Sequence, residues 1–137
     1  MQILGLDVGD RTIGIAASDG LMLTAQGVET IRRKSLQQDL DRLQELVTQY
    51  GTDTLVIGLP KNMDGTEGDR CSFVREFGET LQQTFPDIRI IFWDERLSTV
   101  AAARSLIAAD VSRAKRKKVI DKMAAVFILQ GYLDSRC

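Results

Sequence analysis

The apolar positions change period several times along the chain. Ile3 to Val8 is a short apolar run interrupted by one acid, Asp7, and Ile13 to Ala17 is a second run. Gly9-Asp10 between them is a turn signal, so the two runs predict a hairpin of buried strands. Asp19-Gly20 is the next turn, and Leu23 to Ile31, apolar residues among polar ones, predicts a third strand near a sheet edge. Three short strands joined by tight turns form an antiparallel meander.

The period then becomes helical. Ser35 can cap a helix in which Leu36, Leu40, Leu43, Leu46, Val47 and Tyr50 share one face and Gly51 ends the run. Asp53 to Leu59, bounded by Gly51 and Pro60, reads as a buried central strand. Pro60 to Gly65 is a loop. Thr66, followed three residues later by Asp69, is the expected cap of a second helix that carries Phe73, Phe77 and Leu81 and stops before Pro86. Ile88 to Trp93 is another buried strand and runs straight into Asp94-Glu95-Arg96. Ser98 or Thr99 can cap a helix through Ala109, the basic run Arg113-Ala114-Lys115-Arg116-Lys117-Lys118 reads as a connection, and Val119 to Leu133 predicts a last helix with Asp121 in its first turn. Strand–helix–strand–helix after a meander implies right-handed parallel crossovers. The expected fold class is therefore α/β: a five-stranded mixed sheet, three antiparallel strands plus two parallel, flanked by helices on both faces. The 137 residues suit one domain, 1–137.

Composition narrows the chemistry. There is no histidine, which removes His-based nucleophile activation and most zinc sites, so acid–base or metal chemistry falls to carboxylates, lysines, tyrosines or water. Cys71 and Cys137 are far apart and read as free thiols. No apolar run is long enough to span a bilayer and the start lacks a signal-peptide pattern, so a cytoplasmic protein without membrane partners is expected. Net charge is −1, which by itself argues against a nucleic-acid binder. The charge is unevenly spread, however. Gln37 to Glu95 holds twelve acids and five bases, whereas Arg104 to Lys118 holds six bases and one acid. The basic run reads either as a solvated segment or as a phosphate-contacting one.

Active residues of α/β sheets gather at the carboxyl ends of strands. Asp7 lies near the end of the first strand, Asp94 and Glu95 just past the last, and Asp121 at a helix start that can face the same edge. Converging carboxylates repel unless cations neutralise them, and Mg²⁺ or Mn²⁺ prefers such oxygen ligands. Two such ions activate a water and stabilise the leaving oxygen of a phosphodiester. Each acid also has a structural reading. Asp7 can be held by backbone N–H groups or Arg11, Asp94 can cap a turn, Glu95 can pair with Arg96, and Asp121 can answer a helix dipole. The loop from Gly58 to Gly65 offers N–H groups, with Lys61 and Asn62, that can hold a phosphate, or it is a plain connection. Arg96 can orient Glu95 or clamp a phosphate. Trp93, Phe73, Phe77 and Phe127 read as core, and nothing in the sequence reads a base edge.

Four segments carry a resemblance: Leu6 to Ala16, Ile57 to Gly65, Trp93 to Thr99, and Ile120 to Ala125. Together, in order and over nearly the whole chain, they resemble the YqgF family of bacterial pre-16S rRNA nucleases, also described as Holliday-junction-resolvase-like. The resemblance implies an RNase H-like fold and a cytoplasmic nuclease dependent on Mg²⁺ or Mn²⁺ that matures the 5′ end of 16S rRNA. It puts the catalytic and metal-binding acids at Asp7, Glu95 and Asp121. Substrate contacts are expected at Arg11, Lys61, Asn62, Arg96, Arg113, Lys115, Arg116, Lys117 and Lys118. The partners are structured RNA or branched DNA and, with rRNA, a pre-ribosomal particle. Rival readings are a Holliday-junction-resolvase-like DNA nuclease, a non-catalytic rRNA- or ribosome-associated binding protein, and a nucleotide-hydrolysing lobe of the actin-like superfamily. That superfamily opens with a similar Asp-x-Gly hairpin but needs a second lobe.

Overall fold

β1 (Leu4–Val8) and β2 (Thr12–Ser18) form the expected hairpin, with Val8 opposite Ile13 and Leu4 opposite Ala17. β3 (Ala25–Arg32) continues the meander by pairing antiparallel with β2. β4 (Thr54–Leu59) lies parallel beside β1, and β5 (Arg89–Asp94) parallel beside β4. The sheet order is β3-β2-β1-β4-β5, so the apolar N-terminal strand is central and buried on both faces. The structure is a computed structural model that describes residues 2–62, 64–97 and 113–136, the side chains of 97 and 113–122 excepted. The helix expected from Ser98 or Thr99 to Ala109 falls outside the described residues, as does Cys137.

α1 (Leu36–Tyr50) starts where Ser35 Oγ accepts a hydrogen bond from the Gln38 N–H at 3.2 Å and ends at Gly51. Its Leu43 and Leu46 join Val74, Phe77 and Leu81 of α2 (Asp69–Thr84) against Leu4, Leu6, Val8, Leu55, Ile57 and Leu59. Cys71 is free and buried in that core, where burial pushes its thiol up and keeps it protonated. α3 (Arg113–Ser135) covers the other face, with Ala125, Ile128, Leu129 and Leu133 on Ile3, Ala16 and Val56. Leu133 packs with Ile3 near the amino end of β1, and Gln130 accepts from the Ala25 N–H and donates to the Leu23 carbonyl. α3 therefore runs back along the sheet, with its earlier turns toward the carboxyl ends of β1 and β4.

Several expectations need correction. Thr66 does not cap α2: the cap position is Gly68, with no side-chain bond, while Thr66 donates its hydroxyl to Asp64 and accepts from Asn62 inside the loop. Leu23 is not in the third strand; Leu21, Met22 and Leu23 form an exposed turn held by Asp19, whose carboxylate accepts from Leu23 and Thr24 N–H. Leu36 is exposed rather than on the buried face of α1. The basic run is not a connection, because α3 is helical from Arg113 onward. Lysine and arginine are good helix formers, and the run is continuous with the apolar helix behind it. Asp121 thereby moves from the first turn to the third, beyond reach of the helix-terminus dipole that would explain it.

Candidate active site

Alternation along β1 sends Leu4, Leu6 and Val8 to the α1–α2 face, and Ile3, Gly5 and Asp7 to the face under α3. Gly5 is required there, since a β-carbon would press on Leu129 Cβ at 2.7 Å. Asp7 is half-buried at the carboxyl end, opposite Gly14 of β2, which adds no side chain to that face. The same face of β4 carries Val56 and Gly58. The register that pairs Leu6 with Ile57 sets Gly58 beside Asp7 one step further on, with strands about 4.8 Å apart.

Gly58 makes the site. A β-carbon at Gly58 would stand 2.7 Å from Glu95 Oε1 and would overlap the Ile128 side chain. Glu95 opens a 3-10 turn (Glu95–Leu97) directly after β5 and is only 8% exposed. Its carboxylate thus lies over β4 in the space an ordinary side chain would fill, on the same face and at the same end as Asp7. A buried carboxylate beside a second one is costly without compensation. An all-oxygen donor pair of this kind fits a hard divalent cation.

Asp121 lies on α3 one turn before Ala125, whose carbonyl faces Gly5. Its backbone therefore sits on the stripe shared with Ala125 and Ile128, on the part of α3 directed toward Asp7. The Asp121 side chain is outside the described residues, and among the described residues no three His, Cys, Asp or Glu gather closely enough to hold a metal ion.

Arg96 is bound to Asp94. Its Nη2 stands 2.8 Å from Asp94 Oδ2, its backbone N–H donates to Oδ1 at 2.9 Å, and its guanidinium lies against Gly65. That guanidinium, helped by Lys61, holds the Asp94 carboxyl below the usual carboxylate range. The loop between β4 and α2 is braced internally. Backbone N–H groups of Lys61, Asn62, Gly65 and Thr66 donate to the Leu59, Thr66 and Asn62 carbonyls and to Asp64 Oδ1 respectively, and the Asn62 amide donates to Thr66 Oγ1. Of the loop from Gly58 to Gly65 expected either to hold a phosphate or to be a plain connection, the Lys61, Asn62 and Gly65 N–H groups already have backbone acceptors. Arg11 is exposed on the β1–β2 turn and Lys61 is half-buried. The side chains of Arg113, Lys115, Arg116, Lys117 and Lys118 lie outside the described residues, but their backbone forms the first turns of α3.

Residues 1–135 match the family model described as RuvX, Holliday junction resolvase. The chain belongs to the RuvX family. This bears out the resemblance drawn from the four motifs. A Clostridium botulinum (strain Hall) relative named "Putative pre-16S rRNA nuclease" is 57% identical over 135 residues, covering 98% of each chain. A Bacillus pumilus relative of the same name is 58% identical over 137 residues, covering 98% of this chain and 99% of that one. Among solved structures, Thermus thermophilus RuvC in complex with Holliday junction substrate aligns with a TM-score of 0.57 at 12% identity, over 99% of this chain and 96% of that one. The fowlpox virus Holliday junction resolvase aligns with a TM-score of 0.51 at 16% identity, over 98% and 99%. These structures establish the RNase H-like fold for this RuvX-family chain.

One functional brace escaped the sequence. Arg33, just before the Ser35 cap, donates Nε to Asp39 Oδ2 at 2.8 Å and Nη1 to the Gly9 carbonyl at 2.9 Å. Its guanidinium also stands 5.0 Å from the Phe77 ring centroid. The turn that follows Asp7 is thereby tied to α1 and α2. A signal was present: Asp39 interrupts the apolar stripe of α1 between Leu36 and Leu43, and an acid on such a stripe needs a partner.

Proposed function

We propose that this chain is a nuclease that hydrolyses phosphodiester bonds in structured RNA, using Mg²⁺ or Mn²⁺ held by Asp7, Glu95 and Asp121. In this reading its substrate is the precursor of 16S rRNA, matured at the 5′ end in the cytoplasm, on the pre-ribosomal particle. The observation that carries it is the Glu95 carboxylate lying over side-chain-less Gly58, beside Asp7 at the carboxyl edge. Relatives 57–58% identical that bear the rRNA nuclease name support the choice of polymer. A cation held by Asp7, Glu95 and Asp121 would lower the pKa of a water and offset charge on the leaving oxygen. The chain's own residues do the rest. Asp7 and Glu95 accept hydrogen bonds from the attacking water and fix its place. Arg96, held by Asp94, orients the turn that carries Glu95. Asn62 braces the neighbouring loop. Arg11, Lys61 and the basic start of α3 (Arg113, Lys115, Arg116, Lys117, Lys118) hold flanking phosphates, which gives affinity without sequence readout.

The test uses purified chain, a 5′-extended 16S precursor RNA and a DNA four-way junction, each with Mn²⁺, Mg²⁺ or chelator. Metal-dependent shortening of the RNA is expected, lost in Asp7→Asn and Glu95→Gln variants whose circular dichroism and melting temperature match the parent. The family's resolvase description favours one rival, so cleavage of the junction alone would move the substrate to branched DNA. Salt-sensitive binding of both polymers with cleavage of neither would leave a binding protein.

A further inference from the structure

The other face of the same edge carries a cavity of about 290 Å³ that the chemistry above does not use. It is lined by Arg33, Lys34, Ser35, Leu36, Asp39 and Phe73, with Asp10 of the β1–β2 turn at its side. Arg33 ties that turn to the cavity wall through the Gly9 carbonyl, so the cavity adjoins the segment that follows Asp7.

Three features define what fits. Asp39 is 1% exposed; Arg33 takes its Oδ2, and its Oδ1 is buried with no hydrogen-bond partner. A buried acceptor left over in this way is satisfied by an N–H or O–H donor. That donor is neutral, because the Arg33 guanidinium already balances the carboxylate and repels a second cation. Next, Leu36 and the half-buried Phe73 give the cavity an apolar wall, and its volume is that of a site for one ring-sized group. Finally, exposed Lys34 and the amino terminus of the fifteen-residue α1 offer an anion one positive site at a mouth that Asp10 also lines. A nucleotide brings all three groups together: a neutral amine, a flat ring and an anion.

We propose that this cavity receives one unpaired nucleotide, with the exocyclic amine of adenine, cytosine or guanine donating to Asp39 Oδ1 and its phosphate at Lys34 and the start of α1. Assigning that nucleotide to the nuclease's own substrate rests on the function proposed above. Its place beside the Asp7 turn then makes it a flank of the cut strand, read by its amine rather than by duplex shape. Uracil has no exocyclic amine, and its one base N–H is flanked by two carbonyl oxygens that the Asp39 carboxylate repels, so it is the disfavoured base.

The test leaves cleavage aside. Full-length chain, free of metal, is titrated with adenosine, cytidine, guanosine and uridine 5′-monophosphates and with inorganic phosphate, while amide shifts are followed by NMR. At least one amine-bearing nucleotide should shift amides across residues 34–39 and 73. Uridine monophosphate should bind roughly tenfold more weakly, the worth of one hydrogen bond to a charged group. Because removal of Asp39 also breaks the Arg33 pair, the variant used is exposed Lys34→Gln, which should weaken all four nucleotides several-fold with an unchanged melting temperature. Absence of shifts at these residues, equal affinity for uridine monophosphate, or identical shifts with phosphate alone would each overturn the proposal. Nucleotide binding in a chain that cleaves nothing would sink the nuclease reading and keep the pocket; cleavage without nucleotide binding would do the reverse.

Discussion

Gly58→Ala tests whether Glu95 acts where it lies. The added β-carbon would stand 2.7 Å from Glu95 Oε1, below the 3.0 Å that real contacts keep, and regaining ordinary contact at 3.4 Å takes a shift of 0.7 Å. It would also press on Ile128, whose Cγ1 would be 2.9 Å away and whose Cδ1 nearer still. Two consequences follow from one methyl group. Overpacking should cost about 1–3 kcal/mol, or roughly 3–12 °C in melting temperature for a chain of this size. Displacing a working carboxylate by most of an ångström should lower kcat on the order of tenfold to a hundredfold. The two effects separate in the double variant Gly58→Ala/Ile128→Val, which removes the Ile128 Cδ1 but leaves the clash with Glu95. Calorimetry should show part of the melting temperature regained while single-turnover cleavage stays slow. If activity returns along with stability, Glu95 was never positioned by Gly58 and the reasoning fails.

The remaining predictions concern binding, stability and pH. Replacing Lys115, Lys117 and Lys118 with Gln should flatten the salt dependence of RNA binding, each lost contact reducing the log–log slope by about 0.7–0.9, while turnover of saturating RNA is kept; an unchanged slope would mean a merely solvated helix start. Arg33→Met should cost about 3–5 kcal/mol in urea denaturation by leaving Asp39 buried and unpaired, and Arg33→Met/Asp39→Leu should regain most of it; additive losses in the double would contradict that account. Arg96 depresses the Asp94 pKa, so the pair's stabilisation is fully present above the unfolded carboxylate value near pH ~4 and fades as pH falls through the lower folded value. Asp94→Asn should therefore lower stability at neutral pH and show a shallower acid decline than the parent, measured by melting temperature against pH.

Local pattern was enough for much of this protein. Apolar runs cut by Gly9-Asp10 and Asp19-Gly20 set the meander, Ser35 and Gly51 bounded α1, and alternating strands and helices after it implied that β4 and β5 join in parallel through right-handed crossovers. The residue types at Asp7 and Glu95, placed at strand ends, were legible because strand period and sheet parity are local properties. What the pattern lacked was distance. Thr66 had the chemistry of a helix cap, but Asp64 and Asn62 took its hydroxyl first, and sequence spacing cannot rank such competitors. The basic run has the charge density of a solvated connection, but its lysines and arginines are good helix formers and continue the apolar helix behind them. Gly58 read as the end of a buried strand and the start of a loop; only the stacking of β5, α3 and β4 reveals it as the space that Glu95 occupies. Arg33 and Asp39, six residues apart, are neighbours in sequence, yet their tie to Gly9 and the rings of Phe73 and Phe77 comes from three separate elements. Sequence sets which groups a chain carries and which way each element faces. The burial that makes a carboxylate costly, and the neighbour that compensates it, exist only when distant segments close over it.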